Sequence, residues 1–105
     1  MAVVSVTTGT VKPDRFEDFL EVMRKGKAIT EKCGGRNVRL LSAVVAGEAT
    51  GGMALISEAD DFAALGAVTD KFMADPEGVA LMSSMNTTDG SVTGGKSTIW
   101  VEVPL

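Results

Sequence analysis

Apolar and polar side chains alternate in four stretches of the chain, a pattern typical of strands. In the first stretch, residues 2–11, β-branched residues dominate, and Val4 and Val6 fall on the same side. In the second, residues 36–46, both alternating sets are largely apolar, as in a strand covered on both faces. The third and fourth strands are predicted over residues 53–57 and 98–103.

Residues 13–34 have the spacing of a one-sided helix. Pro13 suits its first turn because the N–H that proline lacks would have no partner there. Gly34 and Gly35 favour a left-handed stop at the other end. The buried stripe of this helix is predicted to consist of Phe16, Phe19, Leu20, Met23 and Thr30.

A second helix is predicted after the third strand, with Asp60 or Asp61 as its N-cap. Pro76 interrupts this helix, and a short continuation reaches Met85. Because the helix is interrupted at Asp75-Pro76, we expect its second piece, residues 79–85, to be loosely attached. The loop over residues 86–96 that follows has little of its own to bury. The buried stripe of the second helix is predicted to consist of Phe62, Leu65, Val68, Thr69 and Phe72.

The order of these elements, β-α-β-β-α-β, predicts a ferredoxin-like α+β fold. In that fold a four-stranded antiparallel sheet carries two helices on one face. The other face would then be bare, although the strands bring apolar side chains to it. Since a large apolar surface marks an interaction site, we predict a homodimer in which two sheets meet face to face.

Composition narrows the class of protein. A length of 105 residues with 45% hydrophobic residues predicts one domain over residues 1–105. A net charge of −4 with scattered Lys and Arg argues against a nucleic-acid partner.

No apolar run approaches the roughly 20 residues that span a bilayer, and the N-terminus lacks a signal-peptide pattern, so we predict a cytoplasmic protein with no membrane partner. The single cysteine, Cys33, is predicted to pack in the core.

The sequence contains no histidine and no tyrosine. The commonest general base, the commonest transition-metal ligand and the usual haem ligand are therefore missing. Carboxylates alone would suit only hard ions such as Mg²⁺ or Ca²⁺, and helix capping explains Asp60 and Asp61. We predict no metal site and no cofactor.

Residues 90–97 fit the G-x-x-x-x-G-K-[ST] pattern of phosphate-binding loops. That loop needs a strand before it and a helix after it, so that backbone N–H groups converge on the phosphates. Here Ser97 opens the last strand instead. We interpret the segment as a loop that leads to an edge strand, and we predict that it binds no nucleotide.

The order of elements resembles the dimeric α-β barrel superfamily, in which two ferredoxin-like sheets pack face to face. Residues 47–62 and the sequence Ala74-Asp75-Pro76-Glu77 resemble the second half of its NIPSNAP-like members. The superfamily also contains cofactor-free antibiotic-biosynthesis-type monooxygenases, haem peroxidases, lactone isomerases and ligand-sensing domains. The resemblance implies the fold and the dimer, but a fold does not choose among these functions.

Six residues are candidates for a small-molecule site: Asn37, Arg39, Met82, Met85, Asn86 and Trp100. The resemblance implies that asparagine, arginine and tryptophan surround an aromatic substrate, where they stabilise an enolate and its reaction with oxygen. Each type also has an ordinary explanation. Asparagines form turns, an arginine on a strand is solvated, a tryptophan anchors a core or a dimer, and methionines fill gaps.

Two functions remain open at this point. The first is the binding or oxidation of a small apolar or aromatic molecule, without a metal cofactor, in a cavity between the sheet and the helices. We expect that cavity near Pro76 and the loop that follows Met85. The alternative is a non-catalytic dimeric binding or stress-related module, which the lack of an acid/base constellation favours. No catalytic residue is predicted.

Overall fold

The computed structural model describes residues 2–85 and 92–105. The strands and helices alternate within these residues in the predicted order. In chain order they are β1 (Val3–Val11), α1 (Phe16–Lys32), β2 (Arg36–Ser42), β3 (Met53–Ala59), α2 (Phe62–Ala74), α3 (Pro76–Met85) and β4 (Val92–Val101). No helix in the described part of the chain is long and apolar enough to cross a membrane.

The four strands form one antiparallel sheet in the order β2-β3-β1-β4. This order, with α1 connecting β1 to β2 and α2 and α3 connecting β3 to β4, is the ferredoxin-like α+β arrangement that the sequence predicts. The helices cover the face that carries Ser5 and Thr7. The opposite face, which we call the open face, carries Val4, Val6, Leu41, Ile56 and Trp100.

Two predicted strand boundaries differ from the structure by four residues or more, and the others that differ do so by one or two. β2 ends at Ser42 instead of residue 46, and Val44 and Val45 beyond it are 77% and 94% exposed. β2 is an edge strand with β3 as its neighbour, and Leu41 on its open face is 47% exposed. Coverage of both faces of β2 therefore stays a prediction. β4 begins at Val92 instead of residue 98, because pairing with β1 continues as far as Val11 opposite Val92.

The phosphate-loop pattern lies partly outside the described residues, since Gly90 and Ser91 are not described. Its described part, residues 92–97, belongs to β4, in which Lys96 pairs with Thr8. Ser97 therefore lies in a strand, as predicted, and no helix begins there. The prediction of a loop is wrong for residues 92–96.

The ends of α1 follow the sequence signals. A 3₁₀ turn at Pro13–Arg15 precedes the helix. At the other end Gly34 has a left-handed φ of 106°, and the N–H of Gly35 donates to the carbonyl of Thr30. Phe19 and Met23 are buried as predicted, whereas Phe16 is 41% exposed.

Asp61 caps α2, because its carboxylate accepts a hydrogen bond from the N–H of Ala64 at 2.7 Å. Leu65 and Val68 are buried as predicted, whereas Thr69 is exposed. Phe62, the first residue of the helix, is 61% exposed, so the buried stripe begins one turn later than the prediction.

The core lies between the sheet and the helices in two clusters. One joins Val3, Ala59 and Leu65, and the other joins Ile29, Cys33, Val68 and Leu81. The packing role predicted for Cys33 is confirmed, since the residue is 5% exposed.

The junction of α2 and α3 is tied down instead of loose. The Asp75 carboxylate accepts hydrogen bonds from the N–H of Glu77 and from Nζ of Lys32, both at 2.9 Å. Leu81 of α3 is 9% exposed in the core cluster. These contacts argue against a loosely attached continuation, because an ion pair joins α1 to Asp75, the residue before α3, and Leu81 packs α3 into the core.

This ion pair makes the stability of the junction depend on pH. The hydrogen bond from Lys32 and that from the Glu77 N–H lower the pKa of Asp75. A carboxyl whose pKa is lower in the folded chain stabilises the protein above its unfolded pKa of about 4 and ceases to do so as the pH falls through the lowered value. We expect Asp75→Asn to lower the free energy of unfolding at pH 7, and we expect this effect to shrink as the pH falls through the lowered pKa of Asp75. Urea unfolding of both proteins measures this, and a difference independent of pH would contradict the ion pair.

Candidate functional site

A cavity of about 250 Å³ lies between the helix-covered face of the sheet and the helices. The sheet forms its floor, and α1, α2 and α3 form its roof. The floor residues are Ser5, Thr7, Val38, Leu55 and Ser57. The roof includes Met23, Leu65, Val68, Phe72, Leu81 and Met82. This is the place that the sequence predicts for a ligand site, although α3 is fastened over it.

Small side chains explain why this space is empty. Ser5 and Ser57 are opposite each other on the two middle strands, and both of these small residues line the cavity. Gly26 of α1 allows Leu81 to approach closely, since a Cβ at Gly26 would lie 3.3 Å from the leucine side chain. α3 therefore packs closely against α1 at this point of the cavity lining.

All described residues that line the cavity are uncharged. Three of the five hydroxyl-bearing residues among them have hydrogen-bond partners in the fold. Thr30 donates to the Gly26 carbonyl at 2.7 Å, and Thr69 donates to the Leu65 carbonyl at 3.0 Å. The hydroxyl of Thr7 lies 3.1 Å from that of Ser97. The cavity is therefore a largely apolar pocket with a few hydroxyl groups, and it is partly open to solvent where Met73 and Met82 are 52% and 39% exposed.

The six candidate residues do not come together in one site. Met82 lines the cavity, and Met85 is the last residue of α3. Asn86 lies outside the described residues. The remaining three, Asn37, Arg39 and Trp100, lie at the edge or on the open face of the sheet, away from Met82.

Asn37 and Arg39 meet around Glu58 at a bulge in β2. The register shifts between Arg36 and Arg39, and Asn37 has a left-handed φ of 50°, which asparagine tolerates better than most residues. Glu58 accepts hydrogen bonds from Arg39 Nη1 at 2.9 Å and from Asn37 Nδ2 at 2.6 Å. These two bonds lower the pKa of Glu58. The carboxylate is thereby held ionised and paired, which is a structural arrangement and not that of a general base.

Trp100 lies on the open face, opposite Val4 of β1. Its side chain is 62% exposed, and its indole Nε1 donates to the hydroxyl of Thr98 at 2.9 Å. The sheet separates the indole from the cavity. The fluorescence of Trp100 therefore reports on the open face and not on the cavity.

Sequence reasoning missed the floor of the cavity. Ser5 and Ser57 read as ordinary polar positions of two strands, and only the strand register brings them side by side. Phe72 was predicted as core and is half-buried at the cavity wall. The alternation of β1 was the available signal, since it places Ser5 on the same side as the buried Val3.

A second concave region of about 750 Å³ lies between α1 and α3. It is an open groove whose sides carry charged residues, including Asp18, Glu21, Lys25 and Glu77. Three of these four already have partners, since Asp18 pairs with Arg15 at 2.7 Å and Glu21 pairs with Lys25 at 3.3 Å. Because the sheet does not enclose this groove, the smaller cavity is the better candidate for a small molecule. Within residues 2–85 and 92–105, no group of three or more acidic or cysteine residues is placed to hold a metal ion.

The sheet order, the crossover helices and the cavity between them define an α+β protein of the ferredoxin-like class. The same fold occurs in a NIPSNAP domain protein from Burkholderia xenovorans, with a TM-score of 0.76 and 16% identity over 96% of this chain and 94% of that one. A NIPSNAP family protein of unknown function from Agrobacterium tumefaciens has a TM-score of 0.73 and 14% identity, over 94% and 86% of the two chains.

A proposed antibiotic biosynthesis monooxygenase from Nitrosomonas europaea also shares the fold, with a TM-score of 0.69 and 14% identity over 97% of this chain and 90% of that one. No family model and no curated protein matches the sequence. The predicted resemblance to NIPSNAP-like and monooxygenase-like proteins is confirmed at the level of the fold.

Proposed function

We propose that this protein binds a small, uncharged apolar or aromatic molecule in the cavity between its sheet and helices. The observation that carries the proposal is the uncharged lining of a cavity of about 250 Å³. An ion placed there would lose its hydration without gaining a partner of opposite charge, which is costly. Since a cavity of about 150 Å³ binds benzene, one substituted ring fits the available space.

The proposal includes a homodimer formed through the open face, with one domain in each chain. Trp100 and Leu41 on that face are 62% and 47% exposed, and Val4 and Val6 lie between them. A second copy of the chain is the occupant that suits this surface. Arg39 and Glu58 neutralise each other within one chain, so two such faces meet without repulsion between these charges.

Calorimetric titration with p-xylene tests the ligand site. Thr69→Phe adds a ring at a residue of the cavity lining, and we expect it to weaken p-xylene binding at least about tenfold. Ala67→Phe adds the same ring at an exposed position of α2 outside the cavity lining, and we expect it to leave the affinity unchanged. Equal affinities in all three proteins would place the bound p-xylene elsewhere and refute the proposal.

Oxidation of the bound molecule by oxygen is a second candidate. It is supported by the likeness in fold to proposed antibiotic biosynthesis monooxygenases, those of Nitrosomonas europaea and Deinococcus radiodurans. The uncharged lining favours binding alone, because no described lining residue is an acid or a base able to take a proton from a phenol. An oxygen electrode decides between the two, since oxygen uptake with hydroxylated aromatics and no added cofactor would select oxidation.

A further inference from the structure

We propose that Ser5 and Ser57 form the polar recognition point of the cavity, and that the ligand is a neutral ring carrying one hydroxyl or carbonyl group. The inference rests on the proposed function and specifies its ligand class. The inference is argued from two neighbouring hydroxyl groups on the cavity floor that form no hydrogen bond with the described part of the chain.

The strand register places the two serines together. Ser5 of β1 and Ser57 of β3 are directly opposite each other in the antiparallel ladder, and both line the cavity. Directly opposed residues have Cβ atoms about 4.5–5.5 Å apart. At that separation both hydroxyls can reach a single oxygen atom of a ligand that lies above them.

Both serine hydroxyls are uncommitted within the described part of the chain. The hydroxyls of Thr7, Thr30 and Thr69 have partners, whereas no described residue forms a hydrogen bond with the side chain of Ser5 or Ser57. Neither hydroxyl is a fully buried atom without a partner. The two hydroxyls therefore remain accessible and able to bind a ligand.

The chemistry of a hydroxyl pair selects the ligand group. Each serine can donate one hydrogen bond and accept others, so the pair suits a phenol, an alcohol or a carbonyl. A carboxylate or an ammonium would be buried beside uncharged residues, which disfavours both. The apolar part of the ligand would then lie against Leu55, Phe72 and Met82.

The test compares p-cresol with p-xylene, two molecules of similar shape that differ by a hydroxyl in place of a methyl group. In the double variant Ser5→Ala/Ser57→Ala we expect p-cresol to bind about tenfold more weakly, because two hydrogen bonds are lost. We expect p-xylene to keep its affinity within about twofold, which also shows that the variant is folded. Thr69→Val removes a hydroxyl of the same cavity that already donates to the Leu65 carbonyl, and it should change the affinities for p-cresol and p-xylene alike.

The outcomes separate this inference from the proposed function. If the double variant binds p-cresol as tightly as the unaltered protein, or loses both ligands equally, the recognition role of the serines is refuted and the apolar site stands. If the unaltered protein binds neither molecule, the inference and the proposed function both fail.

Discussion

Gly78→Ala is expected to destabilise the protein by about 2–3 kcal/mol, whereas the same substitution at Gly66 is expected to stabilise it by about 0.5–1 kcal/mol. A Cβ at Gly78 would overlap the carbonyl oxygen of Phe72, where α2 and α3 meet. Because the obstacle is backbone, the junction itself must shift to admit the methyl group. A Cβ at Gly66 would meet nothing within 4 Å, so alanine there only improves helix propensity.

Urea unfolding of the three proteins measures both effects, and thermal unfolding should show shifts of about 4–8 °C for each kcal/mol in a domain of this size. A lower free energy of unfolding for Gly78→Ala and a higher one for Gly66→Ala would confirm that the close approach of α3 to α2 requires glycine at position 78. Stabilisation by alanine at both positions would contradict the geometry of the junction. It would also weaken the case for α3 as a fixed part of the cavity roof.

Trp100→Glu is expected to convert a dimer into a monomer. A tryptophan contributes about 150–250 Å² of buried surface, and a two-fold interface contains it twice. Loss of that burial and the introduction of two carboxylates should raise the dissociation constant at least about 1,000-fold. Light scattering at micromolar concentration should give about twice the chain mass of 10.9 kDa before the substitution and 10.9 kDa after it.

Phe62→Glu is the matched control for this prediction. Phe62 is 61% exposed, nearly the same as Trp100, but it begins α2 on the helical side of the sheet. The variant should remain a dimer. A single-chain mass for the unaltered protein, or an unchanged dimer in Trp100→Glu, would contradict assembly through the open face.

The fold was predictable because its signals are local. Alternating β-branched residues, the glycines at 34 and 35, the cap at Asp61 and the break at Pro76 each determine one element, and their order determines the topology. The strand boundaries were less predictable because pairing decides them. β4 begins at Val92 because β1 provides a pairing partner there. The apolar residues 44–45 continue the pattern of β2, but their composition does not reveal that the pairing with β3 ends at Ser42.

The candidate site was predictable only in its location. Met82 could be assigned to the cavity because it lies on the helix that follows Pro76. Arg39 and Trp100 could not be placed relative to the cavity, because their positions depend on which side of each strand faces the helices. The bulge at Asn37 changes that side within β2, and no sequence period reveals a bulge. Ser5 and Ser57 are 52 positions apart in the sequence and become neighbours only through the register of β1 and β3.

The central claim is that the cavity admits a small apolar molecule, and NMR of ¹³C-methyl-labelled methionines tests it most directly. Met23, Met73 and Met82 line the cavity, while Met53 lies on β3 outside that lining and serves as the internal control. On titration with p-xylene we expect the methyl signals of the three lining residues to shift together and saturably, with Met53 unchanged. A saturable shift of Met53 alone, or no shift of the three at the solubility limit of p-xylene, would contradict the claim.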